Sequence, residues 1–320
     1  MIPALTRILT AALLAAAAGA ASGQAYPTHI IKLVVPYGPG SSPDNVGRIV
    51  AQQMQEPLGQ TVIVDNRAGA LANVGTAEVA RAAPDGYTIL LTTNTPHAAN
   101  VALFKKLPFD PVRDFAPIVR LITTSMVLLV RSDFPASNLA DFIAYAKTKP
   151  QGLNAGYGSA ATIVSIAKLR SAAGFKTLDV PYKGVPLAIT DVLGGQLDFT
   201  FGDFAVSVPQ IRGGKMKGLG VTSPARTPLA PEIPAIAEMF PGFETRIWYG
   251  LVAPAGTPPA VVTKLHDVVA AILASPDVKA RLGGLGLEAA PMAPEEFADF
   301  IKREIAKWTR EVREAGIEPE

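Results

Sequence analysis

The sequence predicts an α/β protein of two lobes, each built on a mainly parallel sheet and joined by two crossing segments. Three observations carry this. Short β-branched runs alternate with segments of helical period along nearly the whole chain, the pattern of βαβ units. The 320 residues, 49% hydrophobic and 18% charged, supply a substantial core and more βα units than one small sheet uses. The chain from Val261 onward reads as helix and can return to pack on the first lobe, which requires two passages between lobes.

Ile30 to Val35 (IIKLVV) is a strand, followed at once by the turn Pro36 to Asp44. Val46, Ile49, Val50 and Met54 then keep helical spacing up to Leu58-Gly59, where glycine suits a helix stop. Thr61 to Val64 is a second strand, Ala77 to Ala83 a helix, and Tyr87 to Thr92 a third strand after the Asp85-Gly86 turn. In the second half, Met126 to Val130 is a strand, Leu139 to Thr148 a helix, and Leu153 to Gly156 a strand entering the turn Gly156 to Ser159. Helices over 163–173 and 186–193, and strands over 178–180, 197–201, 218–221 and 248–253, complete the alternation. Helices over 261–274, 276–285 and 294–315 end it. The crossings are expected near Ile122–Ser125 and Thr245–Trp248. Residues 26–123 with 248–320 then form one lobe and 124–247 the other.

The N-terminus reads as an export signal. Arg7 precedes the uncharged stretch Ile8 to Ala18, and Gly23-Gln24-Ala25 places small residues at −3 and −1 of a cleavage site before Tyr26. The other reading, an uncleaved anchor helix, is opposed by the shortness of the apolar stretch. Removing residues 1–25 takes away only Arg7, leaving 28 basic against 27 acidic residues, a balance that argues against nucleic-acid partners. With no cysteine there is no disulfide, thiolate nucleophile or lipid attachment at cysteine.

Ligands of parallel sheets bind beyond the carboxyl ends of strands. Three loops sit there. In Pro36–Asp44, Gly38 and Gly40 let backbone approach a ligand, and Ser41 and Ser42 add hydroxyls. The following helix N-terminus favours an anion, although a plain turn capped by Ser42 or Asp44 would look the same. A Gly40→Val change is expected to block amide access. Thr92 to His97, with Thr93 and Asn94, either hydrogen-bonds a ligand or starts a helix. Gly156 to Thr162, with Ser159, the amides of Ala160 and Ala161, and Thr162, forms a second cradle. Asp203 is a further polar contact or simply a cap.

Enzyme signatures are poor. His29, His97 and His266 sit in no metal-ligand motif, and no cofactor or metal is expected. Ser159 is displaced from the centre of a G-x-S-x-G elbow. Gly283-Gly284-Leu285-Gly286 follows a helix and is a stop, not a nucleotide loop. Tyr182-Lys183 lacks a partner base.

Several words in order resemble one family. They are Leu33-Val34-Val35-Pro36-Tyr37-Gly38-Pro39-Gly40 with Asp44, and Val64-Asp65-Asn66-Arg67-Ala68-Gly69-Ala70. Ala83-Pro84-Asp85-Gly86-Tyr87-Thr88, Leu107-Pro108-Phe109-Asp110-Pro111, Val180-Pro181-Tyr182-Lys183-Gly184 and Asp191-Val192-Leu193-Gly194-Gly195-Gln196 follow, then Pro254-Ala255-Gly256-Thr257-Pro258. The chain resembles the Bug/TctC family, the solute-binding components of tripartite tricarboxylate transporters, over its whole mature length. That resemblance implies a type II periplasmic binding fold, a small carboxylate ligand, membrane components of a transporter as partners, a monomer, and no catalysis. It maps ligand contacts onto Tyr37 to Ser42, Thr93–Asn94, Gly158 to Thr162 and Asp203.

Two departures from the family pattern stand out. Gly38 replaces a proline and Ser41 a glycine in the first loop, and the second-lobe loop Gly158-Ser159-Ala160-Ala161-Thr162 has fewer glycines. The added apolar surface implies a larger or more apolar acid, aromatic acids included, rather than citrate. The rival readings are a ligand sensor feeding a two-component system and a periplasmic hydrolase using Ser159.

Overall fold

The computed structural model describes residues 26–228 and 230–319, so the cleavage expectation for residues 1–25 lies outside the described residues. The first unit runs β1 (Ile31–Val35), α1 (Ser42–Leu58), β2 (Val62–Asn66), α2 (Asn73–Ala80) and β3 (Thr88–Thr93). A π-helical turn (Thr95–Ala99) and the short α3 (Asn100–Leu103) follow. Then comes β4 (Phe115–Arg131), a strand of 17 residues.

The second unit holds α4 (Leu139–Lys147), β5 (Leu153–Tyr157), α5 (Ala160–Ala173), β6 (Thr177–Pro181), α6 (Val185–Leu193), β7 (Phe199–Asp203), α7 (Phe204–Arg212) and β8 (Met216–Val221). The chain returns through β9 (Arg246–Pro254) to α8 (Pro259–Ala274), α9 (Pro276–Gly284), β10 (Glu288–Met292) and α10 (Pro294–Glu314).

Strands joined by crossover helices pair in parallel: β1 with β2 and β3, and β5 with β6 and β7. Every pairing of β4 is antiparallel, as is that of β9 with β3. These two strands pass between the halves without a crossover helix, so nothing forces parallel pairing on them. β4 changes partners in mid-strand. It pairs with β9 from Phe115 to Ser125, then with β7 from Met126 and β8 from Val127. The result is a continuous curled path, β2-β1-β3-β9-β4-β7-β5-β6.

Both central strands are apolar and buried on both faces. Ile118, Val119, Leu121, Ile122 and Val127 to Val130 have no exposure, and neither do Leu251, Val252 and Ala253. Such runs lose alternation, which is why the N-terminal part of β4 does not read as strand. β10, sequence Glu-Ala-Ala-Pro-Met, is an edge strand on β4 within a region read as helical. It carries no β-branched residue, so its extended form comes from pairing and not from propensity.

Candidate functional site

The cleft is assembled from strand ends and helix starts. Beyond β1, Ser41 caps α1, its Oγ accepting from the Asp44 N–H at 3.4 Å. Asp44 folds back on the loop. Its carboxylate accepts from the Gly40 N–H and from Asn66 Nδ2, both at 2.9 Å, and from the Arg48 guanidinium. Burial pushes the Asp44 carboxyl up, but bonds from Arg48, Asn66 and Gly40 outweigh it and leave the group below its ordinary value. Asn66 also donates to the Tyr37 carbonyl at 2.9 Å. The loop is thus held in shape by its own carboxylate.

That arrangement corrects the expected role of Gly40. Its amide is spent on Asp44, and the residue borders an outer depression with Asn45 and Pro186, not the cleft. The Ser41 N–H is likewise used, donating to the Gly38 carbonyl at 3.3 Å, and Gly38 does not line the cleft. The donors left on this side are the Ser42 hydroxyl and the first-turn amide of α1. Ser42 Oγ is buried with no hydrogen bond of ordinary geometry, although it influences the ionisation of Asp203 and Tyr249.

At the end of β3, Thr93 Oγ1 pairs with the Tyr37 hydroxyl at 2.6 Å and accepts from the Thr95 N–H at 3.1 Å. Burial raises the Tyr37 phenol to about 12, so it remains protonated. Asn94 is 2% exposed, lines the cleft, and its Nδ2 has no partner. The helical alternative for this loop is also realised, since the π turn starts at Thr95. His97 faces the interior beside Phe109 and Phe115 with Nδ1 2.6 Å from Thr92 Oγ1. Burial drops its imidazole to about 3, which keeps it neutral.

From the second unit, Ser159 caps α5. Its Oγ accepts from the Thr162 N–H at 3.2 Å and lies 2.9 Å from Thr162 Oγ1. The Ala160 N–H crosses to Thr95 Oγ1 at 3.3 Å, a hydrogen bond between the two halves. Ser159 and Ala161 line the cleft, whereas Thr162 turns inward to the Phe201 carbonyl. Gly158 lets this loop meet the start of α6, because a Cβ there would lie 2.3 Å from the Gly184 carbonyl carbon.

Asp203 ends β7 and caps α7, Oδ1 accepting from the Val206 N–H at 3.4 Å. Its Oδ2 accepts from the Tyr249 hydroxyl at 3.1 Å. Burial raises the Asp203 carboxyl to about 6 against the bonds that lower it. Around these groups Met126, Val185, Pro186, Val206 and Ile247 form an apolar wall. The cavity between these groups is about 30 Å³, room for a water or two, so the halves stand close together around it.

Of the expected contacts, Tyr37, Ser41, Ser42, Thr93, Asn94, Ser159 and Asp203 converge here, and Gly38, Gly40, Ala160 and Thr162 do not line the cleft. Thr95, Tyr249 and the apolar wall were missed. Tyr249 was within reach of alternation: Trp248 turns to α10, so its neighbour faces the opposite side.

The tripartite tricarboxylate transporter receptor family, TctC, matches residues 46–317. The periplasmic binding protein BugD is similar at 35% identity and a TM-score of 0.88, over 92% of this chain and 100% of that one. The Rhodopseudomonas palustris protein Rpa4515, solved with adipate, is 32% identical with a TM-score of 0.90, over 92% and 100%. MatC of the same organism, solved with bound malate, is 32% identical with a TM-score of 0.84, over 90% and 100%. Among the described residues no helix is long and apolar enough to cross a membrane. A two-sided cleft between α/β halves, matched along nearly the whole chain, identifies the protein as a member of the Bug/TctC family of periplasmic solute-binding proteins.

Proposed function

We propose that this chain captures a small carboxylate in the cleft and presents it to the membrane components of a tripartite transporter. The supporting observation is a pair of buried, unpartnered polar atoms, Ser42 Oγ and Asn94 Nδ2, at the meeting of two helix N-termini. Buried polar groups without partners are costly, and a carboxylate satisfies both. The N-termini of α1 and α5 add partial positive charge without any arginine. Adipate and malate in similar proteins have the same functional group.

The apolar wall suits an acid with an apolar portion, aromatic acids included, better than citrate. Residues 26–123 with 248–320 and residues 124–247 act as the two jaws, since β4 changes partners at Ser125–Met126. The protein works as a monomer in the periplasm, after removal of residues 1–25. A hydrolytic role is disfavoured because Ser159 Oγ bonds only within the Thr162 cap.

A thermal-shift screen over carboxylic acids tests the reading. At a hundredfold excess over Kd a ligand adds about 2.7 kcal/mol, enough to raise the midpoint by several degrees. Silence from every acid removes the function. Tight citrate binding without response to aromatic acids removes the apolar preference.

A further inference from the structure

Away from the cleft, two helices of different halves face each other through opposite charges. Lys168 lies on α5, the helix whose first turn borders the cleft, and Glu311 lies near the end of α10. Lys168 Nζ is 3.6 Å from Glu311 Oε2, with the two side chains 23% and 11% exposed. Arg246–Glu288, by contrast, is an exposed pair on the crossing strand β9 itself.

Local roles account for part of this. Lys168 Nζ donates to the Glu244 carbonyl at 2.5 Å and lies over the Phe243 ring, 5.6 Å from its centre. Glu311 has Lys307 one turn back on its own helix, 3.9 Å away. Each charge therefore has company within its own half, and the meeting of the two across the halves is left over. Burial raises the Glu311 carboxyl, so a cation beside it counts for more than at an open surface.

The surroundings of the pair differ from the cleft. Next to it lies an opening of about 250 Å³, bordered by Ser171, Phe240 and Phe243 on one side and Glu314 on the other. The halves are not packed together there, and a flexible lysine stem spans the space. Such a contact adds attraction between the halves without locking them by interdigitated apolar side chains.

α5 ties this pair to the cleft. At its start the Ala160 N–H bonds Thr95 Oγ1 of the other half, and Lys168 follows about two turns further along the same helix. A helix moves as one body, so both contacts are made together in the arrangement with the narrow cleft.

We propose that Lys168 and Glu311 form a latch outside the cleft, which favours the closed arrangement of the halves and so sets the affinity of the cleft without touching its ligand. This rests on the two-jaw reading above. When only the closed form holds a ligand firmly, apparent affinity scales with the population of that form. Lys168 and Glu311 are thus positioning residues.

The chain has no native cysteine, so Asn45→Cys and Thr190→Cys, from the two sides of the outer depression, carry spin labels at unique sites. Distances between the labels report closure with no ligand needed. Lys168→Met keeps the stem and Glu311→Gln keeps the shape; each is expected to lower the closed-to-open ratio about threefold or more. The double variant should be no more open than either single one, because the same contact is lost in all three. Where adipate or benzoate binds, calorimetry should show its affinity falling by the same factor. Unchanged label distances in both single variants overturn the proposal, even if urea unfolding shows lost stability, since the pair then only props the fold. A shift toward closure, or effects that simply add in the double variant, overturns it as well. If neither acid binds, the label distances still decide the latch, while the carboxylate reading is what suffers.

Discussion

At Gly40 the backbone has φ of +77° with open space where a Cβ would go, and its N–H is already bonded to Asp44. Gly40→Ala therefore costs about 1 kcal/mol of stability through the left-handed backbone alone. Carboxylate affinity measured by calorimetry should change less than twofold. A large loss of affinity would restore the amide-donor role expected from sequence. Asp203 is the second residue whose environment decides its chemistry. Its folded carboxyl lies at about 6 against an ordinary 3.8, because burial penalises the charge. A raised carboxyl contributes stability that is fully present below about pH 4 and is lost as pH rises through about 6. The difference corresponds to about 3 kcal/mol. Asp203→Asn, which cannot ionise, should gain on the wild type by up to that amount between pH 4 and pH 7 in urea unfolding. A difference independent of pH would show that the carboxyl is not perturbed. Neither effect is written in residue type: glycine and aspartate in a turn are ordinary until their partners are known.

Among the elements, α10 shows how a polar residue enters an apolar stripe. Phe297, Ile301, Glu304, Trp308 and Val312 are its buried residues, at helical spacing. Glu304 Oε2 accepts from the Trp308 indole at 3.0 Å and from the Trp248 indole on β9 at 2.9 Å. The bond pins the C-terminal helix to a strand that runs between the halves. Glu304→Leu leaves two buried indole N–H groups unpaired and should cost about 3 kcal/mol or more, whereas Glu304→Gln keeps an acceptor and should cost less. Chemical denaturation of both variants measures the difference, and equal stabilities would remove the role. Several of the family words are braces of the same kind. Asn66 holds the first loop, and the Tyr182 hydroxyl donates to Asp191 at 2.5 Å, joining two words that are separate in sequence. Helices with capping residues and clear periods were legible, as in α1 and α10. β10 and the first half of β4 were not, because an edge strand without β-branched residues and a strand buried on both faces both lack the period-two signal.

Over the whole molecule, the halves meet through strands β4 and β9, through the Ala160–Thr95 and Tyr249–Asp203 hydrogen bonds at the cleft, and through the Lys168–Glu311 ion pair outside it. The two hydrogen bonds lie at the cleft, where groups of both halves line one wall, so that occupancy there can bias their closure. By itself the sequence determined the βα alternation, the two helix starts that border the cleft, the lack of cofactor motifs and the family. Those depend on periodicity, caps and ordered local words, all of which are short-range. Only the tertiary structure decided which donors remain free, because Gly40 and Ser41 spend their amides within the loop while Ser42 and Asn94 do not. It also decided the wall opposite them. Met126, Ile247, Tyr249 and Asp203 come from strands far apart in the chain, and only pairing in one curled sheet brings a buried acid to the wall that faces the two helix starts.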